Sequence, residues 1–316
     1  MTDIVLVGAA HVHVPDHVRM AESLGCRIVA VMDHDPARAA ACAEKTGARV
    51  VTDVADARAD AAIVASENAR HEAGVGQAFD AHLPVLCEKP LATDGAAARR
   101  MAQRAARDGL ILDTAFSMRA DWAIATLSSR IRQGALGRVI SARVRYAHDG
   151  ALADWLDLSG WMTDPAEAGY GGFGDEGVHA LDWLMWTLGP VASGTAVVGR
   201  SLGLGVDDHA VAALQMESGA TATLEGGWTD RAIHFEAEVL GTRATAMLAT
   251  GADGGRAEIT DRDGGMVWSA MTRPLDAGAA VEPFLHAVRD GRDPLVDAAH
   301  SAAVVETLDR LYGRKG

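Results

Sequence analysis

Apolar residues along the chain follow two rhythms. Over the first 115 or so positions, short apolar runs of strand length alternate with stretches whose apolar side chains recur every three to four residues. The runs at 4–7, 27–32, 61–65, 85–87 and 110–115 predict strands, and the stretches 15–24, 36–46, 69–81 and 94–107 predict helices. Pro15 falls in the first turn of its helix, and Gly25, Gly47 and Gly109 each stand just past a helix end. Gly74 and Gly76 weaken the third helix by about 1 kcal/mol each. Strand and helix in alternation imply βαβ units and a doubly wound parallel sheet. The rhythm changes after a helix at 121–133 and a strand at 138–146. From about Thr195, paired runs at 210–215 and 220–225, 235–240 and 244–248, and 257–260 and 266–269 flank turn residues such as Ser218-Gly219 and Gly241-Thr242. These predict hairpins of an antiparallel sheet. Two helices, 281–289 and 298–311, close the chain. The expected break lies at 117, with an α/β domain over 1–117 and an α+β domain over 118–316.

A chain of 316 residues suits two domains, and 49% hydrophobic with 23% charged residues is ordinary for a globular protein. The net charge of −14 repels phosphate backbones and anionic lipid, so neither nucleic acid nor a membrane surface is an expected partner. The three cysteines, Cys26, Cys42 and Cys87, form no CxxC pair, which fits a reducing cytoplasm rather than a disulfide framework. Asp3 replaces the cationic start of a signal peptide, and the apolar run after it is only strand length, so a cytoplasmic location is expected.

Open α/β sheets bind ligands beyond the carboxyl ends of their strands, where Gly8, Asp33, Ser66 and Glu88 fall. The first turn reads GAAHVH. Of the dinucleotide fingerprint G-x-G-x-x-G it keeps Gly8, with Ala10 and His13 at the other glycine positions. Asp33 follows the second strand; a carboxylate there accepts both ribose hydroxyls and repels a 2′-phosphate, favouring NAD over NADP. The alternative is that Asp33 or Asp35 caps the next helix. His11, His13 and His17 can be read as metal ligands, or as one buried imidazole and two surface ones. Asp16 is the one acidic or thiol neighbour, and no metal is expected. In VLCEKPLAT a buried strand ends at Glu88-Lys89-Pro90. Lys89 is then presented at the crevice, where it can hold a substrate hydroxyl or take its proton, or else pair with Glu88 at the surface. In GYGGFGDEGVHALDWLMWTLG, Asp175, His179 and Asp182 share one helical stripe beside Val178, Leu181, Met185 and Leu188. That suits a histidine base oriented by an acid. A polar face capping its own helix and a two-carboxylate, one-histidine metal site are the competing readings.

Together, VGAAHVH, VAVMDHDPARA, ASENARH, LCEKPLA, AFSMR, LGRV and GGFGDEGVHALDWL resemble the Gfo/Idh/MocA family, the glucose–fructose oxidoreductase and inositol dehydrogenase group, along essentially the whole chain. The resemblance implies an N-terminal Rossmann NAD-binding domain and a C-terminal α+β domain with a large, mostly antiparallel open sheet. That sheet would cover the substrate and join copies into a homodimer or homotetramer. It implies Lys89 as the catalytic lysine, Asp175 and His179 as the acid–base pair, and Asp33 on the adenosine ribose. Ser66 and Asn68 would line the cofactor, with Glu88 near the nicotinamide ribose and a cis bond before Pro90. Ala10, His13 and Glu67, where the family often has proline, depart from its pattern. The implied activity is reversible, NAD-dependent oxidation of a secondary alcohol on a sugar, cyclitol or related polyol. Arg119, Tyr146, the loop 149–169 with Trp155 and Trp161, and Asp182 are candidate substrate contacts, the tryptophans equally candidates for core or interface. The backbone from Ala10 to Val12 is expected to face the pyrophosphate, with His11 or His13 touching the cofactor and His17 structural or exposed. A non-catalytic NAD-binding regulator and a metal-dependent hydrolase or lyase are the rival functions.

Overall fold

The computed structural model describes residues 2–314. They form two compact units. One comprises the chain up to Ser117 with Ala166–Gly169 and Asp276–Val305; the other comprises Met118–Pro165, Tyr170–Leu275 and the residues from Glu306 on. The single break expected at 117 therefore needs correcting, because the chain returns to the first unit. The reason is packing: Val281, Phe284 and Leu285, on one face of the helix Val281–Asp290, are buried in a core with Ile4, Leu6, Ile28 and Ile63. Each such side chain contributes about 1.5–3 kcal/mol on burial.

In the first unit the strands β1 (Asp3–Val7), β2 (Arg27–Met32), β3 (Arg49–Val50), β4 (Ala61–Val64), β5 (Val85–Cys87) and β6 (Leu112–Thr114) form one parallel sheet in the order β3-β2-β1-β4-β5-β6. The helices α1 (Val14–Ser23), α2 (Pro36–Thr46), α3 (His71–Asp80) and α4 (Gly95–Asp108) connect them. The order reverses at β1/β4, so the crevice opens between the loops after these two strands. The strands β1, β4 and β5 are buried on both faces, which explains their continuous apolar runs. Asp35 caps α2, accepting from the amides of Ala37 and Arg38, and Gly47 closes it in the left-handed conformation.

The second unit begins with α5 (Trp122–Arg132) and β7 (Val139–Ala147). After the short turn α6 (Pro165–Ala168) comes α7 (Gly172–Leu188), and then the strands β8 (Val191–Gly199), β9 (His209–Met216), β10 (Thr221–Gly227), β11 (His234–Gly241), β12 (Ala244–Gly251), β13 (Gly254–Asp261) and β14 (Met266–Thr272). With β7 they make an eight-stranded sheet, antiparallel except where β7 lies parallel to β10. One face alternates into the core and packs α7; the other carries exposed Val197, Val211, Met247 and Met271. Helix α7 approaches β10 closely, since a Cβ on Gly226 would stand 2.6 Å from Gly177 Cα. The terminal helices are α8 (Val281–Asp290) and α9 (Ala298–Leu311). Among the described residues, no helix is long and apolar enough to cross a membrane.

Candidate functional site

The first unit gathers its chemistry at the carboxyl ends of β1, β2, β4 and β5. Gly8 has φ +80°, and a Cβ there would lie 2.3 Å from Ser66 Cβ and 2.5 Å from Ser66 Cα. Glycine thus lets the loops after β1 and β4 touch, as a nucleotide turn requires. The amide of His11 donates to Ala65 O (3.1 Å), and those of Gly8 and Ala9 to Met32 O and Asp33 Oδ2 (both 2.7 Å). The His11 amide thus closes the end of the sheet. Ser66 is buried, with its hydroxyl on Glu67 O. Asn68 is buried too; its amide nitrogen donates to Ala168 O (2.9 Å), while its Oδ1 has no hydrogen-bond partner among the described residues. A buried acceptor without a donor calls for one from a ligand. A cavity of about 450 Å³ opens here, lined by Gly8, Asp33, His34, Ser66, Arg70 and Gln77. The tight Gly8 turn, the waiting Asn68 acceptor and this cavity fit a dinucleotide.

Asp35 is the helix cap, so Asp33 is not; yet Asp33 is not open either. Its side chain is fully covered and accepts four hydrogen bonds, from the amides of Ala9 and Asp35 and from Nε and Nη2 of Arg38 (2.7–2.9 Å). Burial would raise its pKa, but the Arg38 hydrogen bonds and the two amides hold it below the usual carboxylate range.

Glu88 and Lys89 are both 1% exposed, which corrects the surface-pair alternative, and the Lys89–Pro90 peptide is cis. Glu88 Oε1 accepts from His13 Nδ1 (3.0 Å) and His17 Nε2 (2.6 Å), its Oε2 accepts from the Lys89 amide (2.9 Å), and His11 Nε2 lies 3.7 Å away. Burial would raise the Glu88 pKa, but the field of His11 and His13 and the hydrogen bonds from His13 and His17 hold it well below normal. His11 and His17 are buried and His13 is partly exposed, so the expectation of one buried and two surface imidazoles is corrected: Glu88 draws all three inward. Burial pushes the His11 pKa well down, against the field of Glu88. His71, in the ASENARH stretch, sits between Pro90 O (3.1 Å) and Ser66 O (3.3 Å) and so ties the loop after β4 to the Lys89–Pro90 turn.

In the second unit α7 is buried nearly all round, not along one stripe, because the loop Tyr170–Gly171 and the sheet cover its polar side. Asp175, His179 and Asp182 are all buried, but they face different partners. Asp175 Oδ2 accepts from Trp228 Nε1 (2.8 Å), and the His179 ring stacks on Tyr146 with centroids 4.7 Å apart. Asp182 takes a bidentate ion pair from Arg119 (2.6 and 2.9 Å). Breaking one side of such a pair costs about 3–5 kcal/mol, so each of Arg119 and Asp182 depends on the other. Trp161 packs in a small cluster with Met162, Val206 and Trp228; Trp155 is half exposed, donates to Asp149 Oδ1 (3.0 Å) and lies against the ring of His148. Sequence reasoning did not find Trp228, His148 or Glu176; the only signal was the GGW run that ends β10.

Two groups have donors close enough for a metal ion, His11–His13–Glu88 and His148–Asp175–Glu176. The His13 amide donates to His11 Nδ1 (3.3 Å) and the Gly150 amide to His148 Nδ1 (2.9 Å). The other ring nitrogens face carboxylates: His11 Nε2 lies 3.7 Å from Glu88 Oε2, beyond hydrogen-bond range, and His148 Nε2 lies 3.4 Å from Glu176 Oε1.

Residues 2–116 match the family described as "Oxidoreductase family, NAD-binding Rossmann fold", and residues 124–247 match the GFO/IDH/MocA C-terminal domain. The 1,5-anhydro-D-fructose reductase of Ensifer adhaerens is 30% identical over 250 residues, 77% of this chain and 74% of that protein. The D-xylose 1-dehydrogenase (NADP(+)) 2 of Haloferax volcanii is 28% identical over 97% of this chain and 95% of its own. A levoglucosan dehydrogenase solved with NADH and levoglucosan has the same fold, with a TM-score of 0.86 at 20% identity over 99% of this chain and 96% of that one.

Proposed function

The chain belongs to the Gfo/Idh/MocA oxidoreductase family, and from that premise we propose that it is an NAD-dependent dehydrogenase or reductase of a sugar, cyclitol or related polyol, working at a secondary alcohol or the matching ketone. The observation that carries the reading is Lys89: a lysine 1% exposed, at the carboxyl end of β5, in the unit that also holds the Gly8 turn. Lysine is almost never fully buried unless it is paired, so the fold holds this ammonium at one fixed place at the strand's carboxyl end.

The dinucleotide, when bound, supplies the hydride acceptor. Asp33 faces the adenosine ribose, Ser66 and Asn68 line the cofactor, and Glu88 with His11 or His13 stands near the nicotinamide end. Lys89 hydrogen-bonds the substrate oxygen and stabilises its alkoxide character, and His179 takes the hydroxyl proton as the carbinol hydrogen leaves as hydride. Asp175, held by Trp228, tunes that exchange. Tyr146, stacked on His179, and the exposed face of Trp155 meet the sugar. Copies pair through the outer face of the eight-stranded sheet, where Val197, Val211, Met247 and Met271 are exposed. The three thiols are free, which suits a cytoplasmic enzyme. The test is a panel of sugars, inositols and keto-sugars with NAD(H) and NADP(H), followed by nicotinamide absorbance; no turnover with any of them contradicts the proposal.

A further inference from the structure

A bare carboxylate at the end of β2 selects NAD, because it accepts the ribose hydroxyls and repels a 2′-phosphate. Asp33 is not bare. All four of its lone-pair directions are taken, two by amides and two by the Arg38 fork, and its side chain has no exposed surface. An incoming ribose meets the guanidinium first. Arg38 is itself held at a second point: Nη2 donates to Glu67 Oε1 at 2.7 Å. Glu67 is buried, and its other oxygen has only longer ionic contacts, with Arg70 Nε at 3.5 Å and His34 Nδ1 at 3.7 Å. The arrangement is thus a guanidinium shared by two carboxylates, with a second cation and an imidazole around them.

We propose that Arg38, shared between Asp33 and Glu67, sets the nucleotide selectivity of this chain and makes it accept the 2′-phosphate of NADP as well as the 2′-hydroxyl of NAD. While Arg38 rests on Asp33, the charge that would repel a phosphate is neutralised, and the guanidinium, with Nε and Nη2 spent on Asp33 and Glu67, keeps its two Nη1 N–H groups for a ligand. A 2′-phosphate is taken by Arg38, with His34 and Arg70 close by. A ribose diol instead displaces the fork from Asp33, and Glu67 keeps the guanidinium from being left unpaired. Arg38 is thus a specificity-determining residue whose two resting places correspond to the two cofactors.

The inference rests on the cofactor reading above, so its test uses binding and needs no substrate: NADH and NADPH are titrated into the protein by nicotinamide fluorescence. The wild type binds both, with dissociation constants within about tenfold of each other, a difference of about 1.4 kcal/mol. Arg38→Ala exposes Asp33, tightens NADH, and weakens NADPH by about tenfold or more. Glu67→Gln removes the second resting place and shifts the ratio the other way, towards NADPH. An NADH-to-NADPH ratio unmoved by both substitutions, in variants that melt like the wild type, overturns the role of Arg38 while leaving the cofactor reading intact. A wild type that binds NADH alone also overturns it. A wild type that binds neither dinucleotide contradicts the cofactor reading itself.

Discussion

Substituting Gly8 by alanine isolates what the first turn demands. The residue has φ +80°, where a side chain costs about 1–2 kcal/mol. The added methyl also enters space already filled, 2.3 Å from Ser66 Cβ, 2.5 Å from Ser66 Cα and 2.6 Å from Ser66 N. Two of these atoms are backbone, so no rotamer change relieves the clash, and forced overpacking of this kind adds about 1–3 kcal/mol. Gly8→Ala should lose about 2–5 kcal/mol in total. Gly25 supplies the control: its φ is +73°, but nothing lies within 4 Å of a Cβ there. Gly25→Ala should then cost only the conformational part, about 1–2 kcal/mol. Guanidinium unfolding followed by circular dichroism measures both. Nicotinamide fluorescence adds a second readout, because pushing the loop after β4 away from Gly8 also opens the nucleotide turn. NADH binding should fall in Gly8→Ala and persist in Gly25→Ala. Equal stability losses in the two variants, or undiminished NADH binding in Gly8→Ala, would refute the reasoning.

Acid should destabilise the protein through His11. Its folded pKa lies well below the ordinary 6.5, so the unfolded chain takes up a proton below pH 6.5 that the folded chain refuses; stability is present above that pH and falls as pH drops from 7 to 5. Glu88 adds to the trend lower down, since its pKa is held well below 4.5 and its contribution is lost only as pH falls through that depressed value; a guanidinium midpoint flat from pH 7 to 5 contradicts the His11 part, and one that does not fall further below pH 4.5 contradicts the Glu88 part. His71→Phe removes the ring that bridges Ser66 O and Pro90 O and should cost about 1–3 kcal/mol while lowering kcat more than it raises KM, with His71→Gln in between. A His71→Phe enzyme with wild-type kcat would show that the bridge does not position Lys89.

The strands of the first sheet are legible because burial on both faces makes them continuous apolar runs, and its helices because caps and glycines punctuate them. Two strands escape. Arg49–Val50 is two exposed residues, and Val191–Gly199, at the sheet's edge, is mostly exposed, with Ser193, Gly194 and Thr195 blurring its alternation. The return of α8 to the first unit is not legible either, since an amphipathic helix does not say which core its face will join. Among the candidate residues, Gly8, Asp33 and Lys89 in the first unit and Asp175 and His179 in the second are readable because each sits at a fixed place on its own element. What is not readable is partnership across the chain. Asp33 with Arg38 and Glu67, Glu88 with His17, and Asp175 with Trp228 are pairs brought together only by folding.

The most direct measurement is steady-state turnover of Lys89→Met beside the wild type, on whichever polyol of the panel reduces NAD fastest, with NADH affinity determined on the same preparations. Removing a donor positioned on the developing alkoxide should lower kcat by about 10²–10³-fold. NADH affinity should stay within about threefold, a difference of less than 1 kcal/mol. A Lys89→Met enzyme that turns over at the wild-type rate would contradict the account.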